Sequence, residues 1–210
     1  MKTVLVTGGT VRLGKAIAES LRQRGWKVLT SSHRADAGAD LVADLAEPLG
    51  PAKLFAAACA RAGGMLDAIV NNAALFTGDE ATLRAVNLEA PKKLTTMFWG
   101  REYGRGAVVN VVDAKALGES REPSAYLKTK AELVAETRQA AARFAATLRV
   151  NAVAPGPVLA PTDVHEAAGE TLLDRRPTAE DVASAVVFLL ENESVTGVVL
   201  PVDSGQHLVN

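Results

Sequence analysis

The chain of 210 residues is poor in several things, and each scarcity narrows what it can be. Cys59 is the only cysteine, so no internal disulfide can form, and a reducing compartment is expected. Its Ala-rich helical surroundings mark it as a buried structural thiol rather than a nucleophile. No charge of one sign dominates: 23 Lys and Arg stand against 24 Asp and Glu, for a net charge of −1. That balance offers no basic excess to hold nucleic acid or an anionic membrane. No apolar run approaches the ~20 residues that span a bilayer. The opening Met1-Lys2-Thr3-Val4-Leu5-Val6 is too short for a signal-peptide core, and Gly8-Gly9 breaks it, so a cytoplasmic protein is expected. His165 and His207 have no companions at metal-ligand spacing, and no metal site is expected. There is no repeat, low-complexity stretch or linker, so one domain over residues 1–210 is the simplest organisation.

What is present is a regular alternation. Hydrophobic residues make up 48% and charged residues 22%, as in an ordinary globular enzyme. Short β-branched runs at Val4–Val6, Lys27–Thr30, Leu41–Val42, Ala68–Val70, Ala107–Val112, Arg149–Val153 and Val198–Val202 read as strands. Helical patterns lie between them at Leu13–Arg24, Ala52–Ala62, Glu80–Phe98, Ser124–Ala146 and Glu180–Leu190. This predicts an α/β fold: a doubly wound, Rossmann-type parallel sheet of about seven strands with helices on both faces, a three-layer sandwich. Ligands of such folds bind beyond the carboxyl ends of the strands.

The first strand runs into Thr7-Gly8-Gly9-Thr10-Val11-Arg12-Leu13-Gly14. Gly8 permits a tight turn, Gly14 permits close helix–strand packing, and the helix N-terminus suits a pyrophosphate. Strand two ends in Ser31-Ser32-His33-Arg34, without the acid that usually holds the ribose hydroxyls of NAD. Arg34 can pair bidentately with a phosphate, His33 can donate to it, and Arg12 lies on the neighbouring loop. These three basic groups favour NADPH and its 2′-phosphate, whereas Asp36 and Asp40 are not placed on the ribose.

Tyr126 and Lys130 stand at i and i+4 on a predicted helix, about one turn apart on one face. A tyrosine with its ordinary pKa of about 10 shuttles protons poorly near neutrality. A nearby ammonium stabilises the phenolate, and the lysine can also hold ribose hydroxyls. The pair is then suited to protonating a substrate that receives a hydride. Lys128, further round the helix, is expected to face solvent.

These motifs together resemble the short-chain dehydrogenase/reductase family, over nearly the whole chain. The Gly-x-x-x-Arg-Leu-Gly loop and the His33-Arg34 pair are similar to its pteridine reductase branch. The resemblance implies that Gly8, Arg12, Leu13, Gly14, His33 and Arg34 bind the cofactor. It implies the same for Asp44 and Leu45 after strand three, for Asn72, Ala73 and Ala74 after strand four, and for Tyr126, Lys130, Pro155, Gly156 and Val158, with Thr162 a weaker candidate. Two departures stand out: Arg12 replaces a usual glycine of the family loop, and Ser204 replaces the first glycine of its Asp-Gly-Gly ending.

Asp113 stands thirteen residues before Tyr126, where most of the family has serine and the pteridine branch has aspartate. A serine hydroxyl polarises a carbonyl, whereas an aspartate can accept from a pterin's N–H groups or relay a proton. Its alternative role is to bond the adjoining loop. Phe76 stands where the branch places an aromatic against the pterin ring, with a core role as the alternative. Ala74 replaces the branch's substrate-contacting serine. Asn87, followed by Ala90-Pro91, is similar to the family's helix-four asparagine, whose implied role is to hold a water in a relay from Lys130; its alternative is a helix-distorting residue satisfied by backbone. Residues 159–176 correspond to a short substrate lid. The resemblance also implies a homotetramer or homodimer.

The expected activity is NADPH-dependent reduction of a dihydropterin- or dihydrofolate-type ring, with Tyr126, Lys130, Asp113 and Asn87 catalytic and Phe76, Asp113 and Tyr126 at the substrate. The alternatives are a ketone or 3-oxoacyl reductase of the same family, and a non-catalytic NADPH sensor.

Overall fold

The computed structural model describes residues 1–100, 104–118, 123–158 and 171–209. Seven strands are assigned: β1 (Thr3–Thr7), β2 (Lys27–Ser32), β3 (Leu41–Val42), β4 (Ala68–Asn71), β5 (Gly106–Val111), β6 (Leu148–Pro155) and β7 (Val199–Val202). They form one sheet in the order β3-β2-β1-β4-β5-β6-β7, and every pairing is parallel. The strand order reverses between β1 and β4, so the loops leaving those two strands diverge and open a crevice.

The helices are α1 (Arg12–Gln23), α2 (Gly50–Arg61), α3 (Glu80–Arg84), α4 (Ala90–Trp99), α5 (Ala125–Phe144) and α6 (Ala179–Glu191). Period-two alternation in the strands decides which layer each side chain enters. Val4, Val6, Val28, Val70 and Val109 meet Ile17, Ala18 and Leu21 of α1 and Val182 and Val186 of α6. Leu5, Leu29, Ile69, Val108 and Val150 point to the other face, against Leu54 of α2, Leu94 and Phe98 of α4 and Phe144 of α5. Both faces of the central strands are therefore covered, which is why β1 reads as an unbroken apolar run. Cys59 corrects one expectation: it is half-buried on α2, packed against this second layer rather than sealed inside it.

The pattern expected to be largely helical from Glu80 to Phe98 divides. Between α3 and α4 the chain makes a π turn over Ala85–Glu89, which places Asn87 on its buried side. Ser124 caps α5 by accepting from the Leu127 N–H, setting the start of the helix one turn before Lys128.

Candidate active site

The loop after β1 is shaped by small residues at close approaches. Gly8 has φ +62° and lies where an added Cβ would be 3.0 Å from the Ala73 Cα. A Cβ on Gly14 would collide with the Gly8 carbonyl oxygen. Asn72 ties the crevice together, its amide donating to the carbonyls of Thr7 and Gly8 at 3.0 and 3.1 Å. Thr7 completes the tie: its hydroxyl accepts the N–H groups of Asn72 and Ala73 and donates to the Val70 carbonyl. The β1 and β4 loops are thus locked to each other. Val11 precedes α1 and provides no side-chain cap, which leaves the first-turn N–H groups to something other than its own side chain.

Arg12 adopts φ +50° and Ser204 φ +55°, and among the described residues these are the non-glycine positions with positive φ. Both are where the family resemblance expects glycine. The backbone has kept the left-handed turn, and each side chain is carried at a cost of about 1 kcal/mol or more. His33 and Arg34 follow β2 on the adjacent loop, and Gly9 N–H donates to the Ser31 carbonyl, holding the two loops together. Arg34 also forms a two-bond pair with Asp36, which the sequence did not disclose. Asp40 accepts from the Thr30 N–H and hydroxyl at 2.8 Å each, a strand-bracing role. Asp44 follows β3 and accepts from the Ala46 N–H, while Leu45 is buried beside it.

The candidate catalytic groups lie just after β5 and on α5. Tyr126 donates its hydroxyl to Asp113 Oδ2 at 3.0 Å, and Asp113 Oδ1 accepts from the Lys115 N–H at 2.9 Å. Asp113 therefore both bonds the adjoining loop and engages the tyrosine. Burial pushes its carboxyl above the ordinary carboxylate range, against the opposing pull of Lys115, Tyr126 and Lys130. Lys130 is 2% exposed, and its ammonium donates to the Val111 carbonyl at 2.9 Å. Desolvation brings its pKa down to about 8, with Asp113 acting in the other direction. Its Nζ lies 5.7 Å from the centre of the Tyr126 ring. Lys128 is exposed, as its helical position requires.

Phe76 stands over this centre rather than in a core. It is 46% exposed, and its ring lies 4.7 Å from that of Tyr126, tilted by 48°. Asn87 is fully buried, and its side chain pairs with the Leu75 backbone on both sides at 2.8 Å and donates to Thr129 at 3.2 Å. The asparagine therefore pins the segment carrying Phe76 to α5, next to Tyr126. Only the folded π turn discloses that strut.

At the end of β6, Gly156 backs directly onto Asp203: an added Cβ would be 2.7 Å from the Asp203 Cα. Pro155, Gly156 and Val158 are half-buried along this edge. Asp203 is itself buried and accepts from the His207 N–H and Nδ1 at 2.7 Å each, so His207, read in the sequence as isolated, has a carboxylate partner. Ala74 is exposed beside the crevice. Thr162 and His165 lie outside the described residues, as does most of the expected lid. No helix among the described residues is long and apolar enough to cross a membrane.

The chain is similar to known proteins over nearly its whole length. The family model described as Enoyl-(Acyl carrier protein) reductase matches residues 11–207. The crystal structure of FolM Alternative dihydrofolate reductase 1 from Brucella canis, complexed with NADP, superposes with a TM-score of 0.85 at 32% identity, covering 99% of this chain and 94% of that one. Pteridine reductase 1 of Leishmania tarentolae is 28% identical over 97% of this chain and 96% of its own length. A bovine (Bos taurus) 3-oxoacyl-(acyl-carrier-protein) reductase is 30% identical over 99% of this chain and 98% of its own. With a parallel seven-stranded sheet and Tyr126 and Lys130 brought together beside its crevice, the chain belongs to the short-chain dehydrogenase/reductase family of oxidoreductases, close to its pteridine reductase branch.

Proposed function

We propose that this protein is an NADPH-dependent reductase that converts a dihydropterin- or dihydrofolate-type ring to its tetrahydro form. The observation that carries the reading is the bond from Tyr126 to Asp113, an acid where a carbonyl reductase of this family would have serine. The crevice fits a dinucleotide. Gly8, Gly14 and Gly156 mark places where the protein's own atoms approach too closely for a Cβ, which keeps the crevice loops tightly drawn, and the α1 N-terminus has no side-chain cap of its own. Arg12, Leu13, His33 and Arg34 would hold the phosphates. Asp44, Leu45, Asn72, Ala73 and Ala74 would line the adenosine and central part, and Pro155, Gly156, Val158 and Lys130 the nicotinamide end. NADPH bound there supplies a hydride.

The chain's own residues manage the protons. Tyr126 delivers a proton to the ring nitrogen next to the carbon that has accepted hydride. Lys130, charged below about pH 8, favours the phenolate that results. Asp113, with its carboxyl shifted upward, can replace that proton or accept from the substrate's amino group. Phe76 offers a ring face to a flat substrate, and Asn87 fixes the loop on which it sits. The apolar exposure of Trp99 on α4 and of Phe188 on α6 supports a homo-oligomer, testable by light scattering in solution. The single cysteine and balanced charge support a cytoplasmic setting.

Steady-state assays with dihydrobiopterin or dihydrofolate, beside a panel of ketones and 3-oxoacyl thioesters, test the reading. A higher kcat/KM for the dihydropterin is expected. Activity confined to the oxoacyl substrates would favour a carbonyl reductase, to which the bovine relative also points. NADPH binding without turnover on any substrate would favour a sensor.

A further inference from the structure

Arg34 and Asp36 form a pair whose shape matters more than its strength. Arg34 Nε lies 2.9 Å from Asp36 Oδ1, and Nη2 lies 2.7 Å from Oδ2. These are two parallel charge-assisted bonds, one edge of a guanidinium meeting both oxygens of a carboxylate. The same edge, in the same fork, is how an arginine grips a phosphate. That edge, Nε with Nη2, cannot hold both at once.

The local backbone makes this possible. A single 3₁₀ turn over Ala35–Ala37 follows Arg34 and folds Asp36 back over it, and Gly38 closes the turn with φ +65°. The paired side chains are 64% and 69% exposed, so the pair is open to exchange with a solute. His33 also lies within electrostatic reach of the carboxylate. The arginine holds the Asp36 carboxyl below its ordinary range, keeping it ionised at neutral pH.

We infer that Asp36 is a specificity-determining residue for the nucleotide: it occupies the Nε–Nη2 edge of Arg34 when no phosphate is there, and a 2′-phosphate that takes this edge must displace it. The inference rests on the proposed assignment of Arg34 to that phosphate. A nucleotide without the phosphate leaves the pair intact and meets no competition. Asp36 therefore narrows the preference for NADPH over NADH, and its removal should widen it.

The test measures dissociation constants of NADPH, NADH, 2′,5′-ADP and 5′-AMP for the wild type, Asp36→Ala, Arg34→Ala and the double variant. Asp36→Ala should bind NADPH and 2′,5′-ADP about fivefold more tightly, the scale set by an exposed ion pair, with NADH and 5′-AMP unchanged. Arg34→Ala should weaken the two phosphorylated ligands selectively, and on that background the second substitution should add nothing. Should Arg34→Ala act as expected while Asp36→Ala changes nothing, the inference about Asp36 is overturned and the arginine's assignment stands. An Arg34→Ala variant with unaltered preference overturns the assignment itself. A gain from Asp36→Ala that persists without Arg34 shows simple charge repulsion, and that also overturns competition for the fork.

Discussion

Tyr126 and Asp113 are joined by a 3.0 Å hydrogen bond, although they lie thirteen residues apart on different elements. The bond unites the residue that the family uses as its proton donor with the residue at which this chain departs from most of that family. Replacing Tyr126 by Phe removes the hydroxyl and leaves the ring under Phe76. Turnover should fall by about 10²–10⁴-fold, the usual contribution of a positioned proton donor, with the NADPH dissociation constant nearly unchanged. Single-turnover kinetics beside fluorescence titration would check it, and full activity would remove Tyr126 from the mechanism.

Asp113→Ser restores the family's commoner residue. It should lower kcat/KM for a dihydropterin while sparing or raising that for a ketone, because a hydroxyl polarises a carbonyl but cannot replace a carboxylate facing N–H groups. The ratio of the two values is the measurement.

The raised carboxyl of Asp113 also makes a statement about stability. Its protonated form is favoured in the folded state, so its contribution is fully present below the unfolded value of 3.8 and is lost as pH rises through the higher folded value. Asp113→Asn removes that loss. The variant's advantage in melting temperature over wild type should grow from acid towards neutral pH, and parallel curves would contradict the shift.

For Lys130 the signs are opposed. Folding lowers its pKa from 10.5 to about 8, so between those values the unfolded chain binds more protons and stability rises with pH. Over the same rise the ammonium to which we assign a catalytic role is discharged, so kcat/KM for NADPH should fall above about pH 8. A falling rate without a falling melting temperature separates loss of the charge from unfolding.

Arg12→Gly should divide stability from function. Relief of a residue at φ +50° should stabilise the fold by about 1 kcal/mol, less whatever freedom glycine returns to the unfolded chain. NADPH preference over NADH should weaken in the same variant. Denaturant unfolding and cofactor titration read the two effects independently.

Much of this was legible in the chain itself. The strand and helix alternation, the two-sided burial of β1, the glycines of the first loop and the i, i+4 placement of Tyr126 and Lys130 follow from periodicity and steric rules that act within a few residues. Those rules also made the basic groups Arg12, His33 and Arg34 conspicuous by the acid missing beside them. The tertiary structure alone decided the rest. It put Phe76 on Tyr126 rather than in the core, made Asn87 a strut through a π turn, gave His207 a buried partner in Asp203, and lowered Lys130 by taking it out of water. The physical reason is the same for each. Burial and long-range hydrogen bonding depend on which elements are packed together. Even the i, i+2 pairing of Arg34 with Asp36 required a 3₁₀ turn that the residue pattern did not announce. So Tyr126 and Lys130 could be named from their spacing, but the bond between Tyr126 and Asp113 exists only because the turn that follows β5 packs against α5 in the folded chain.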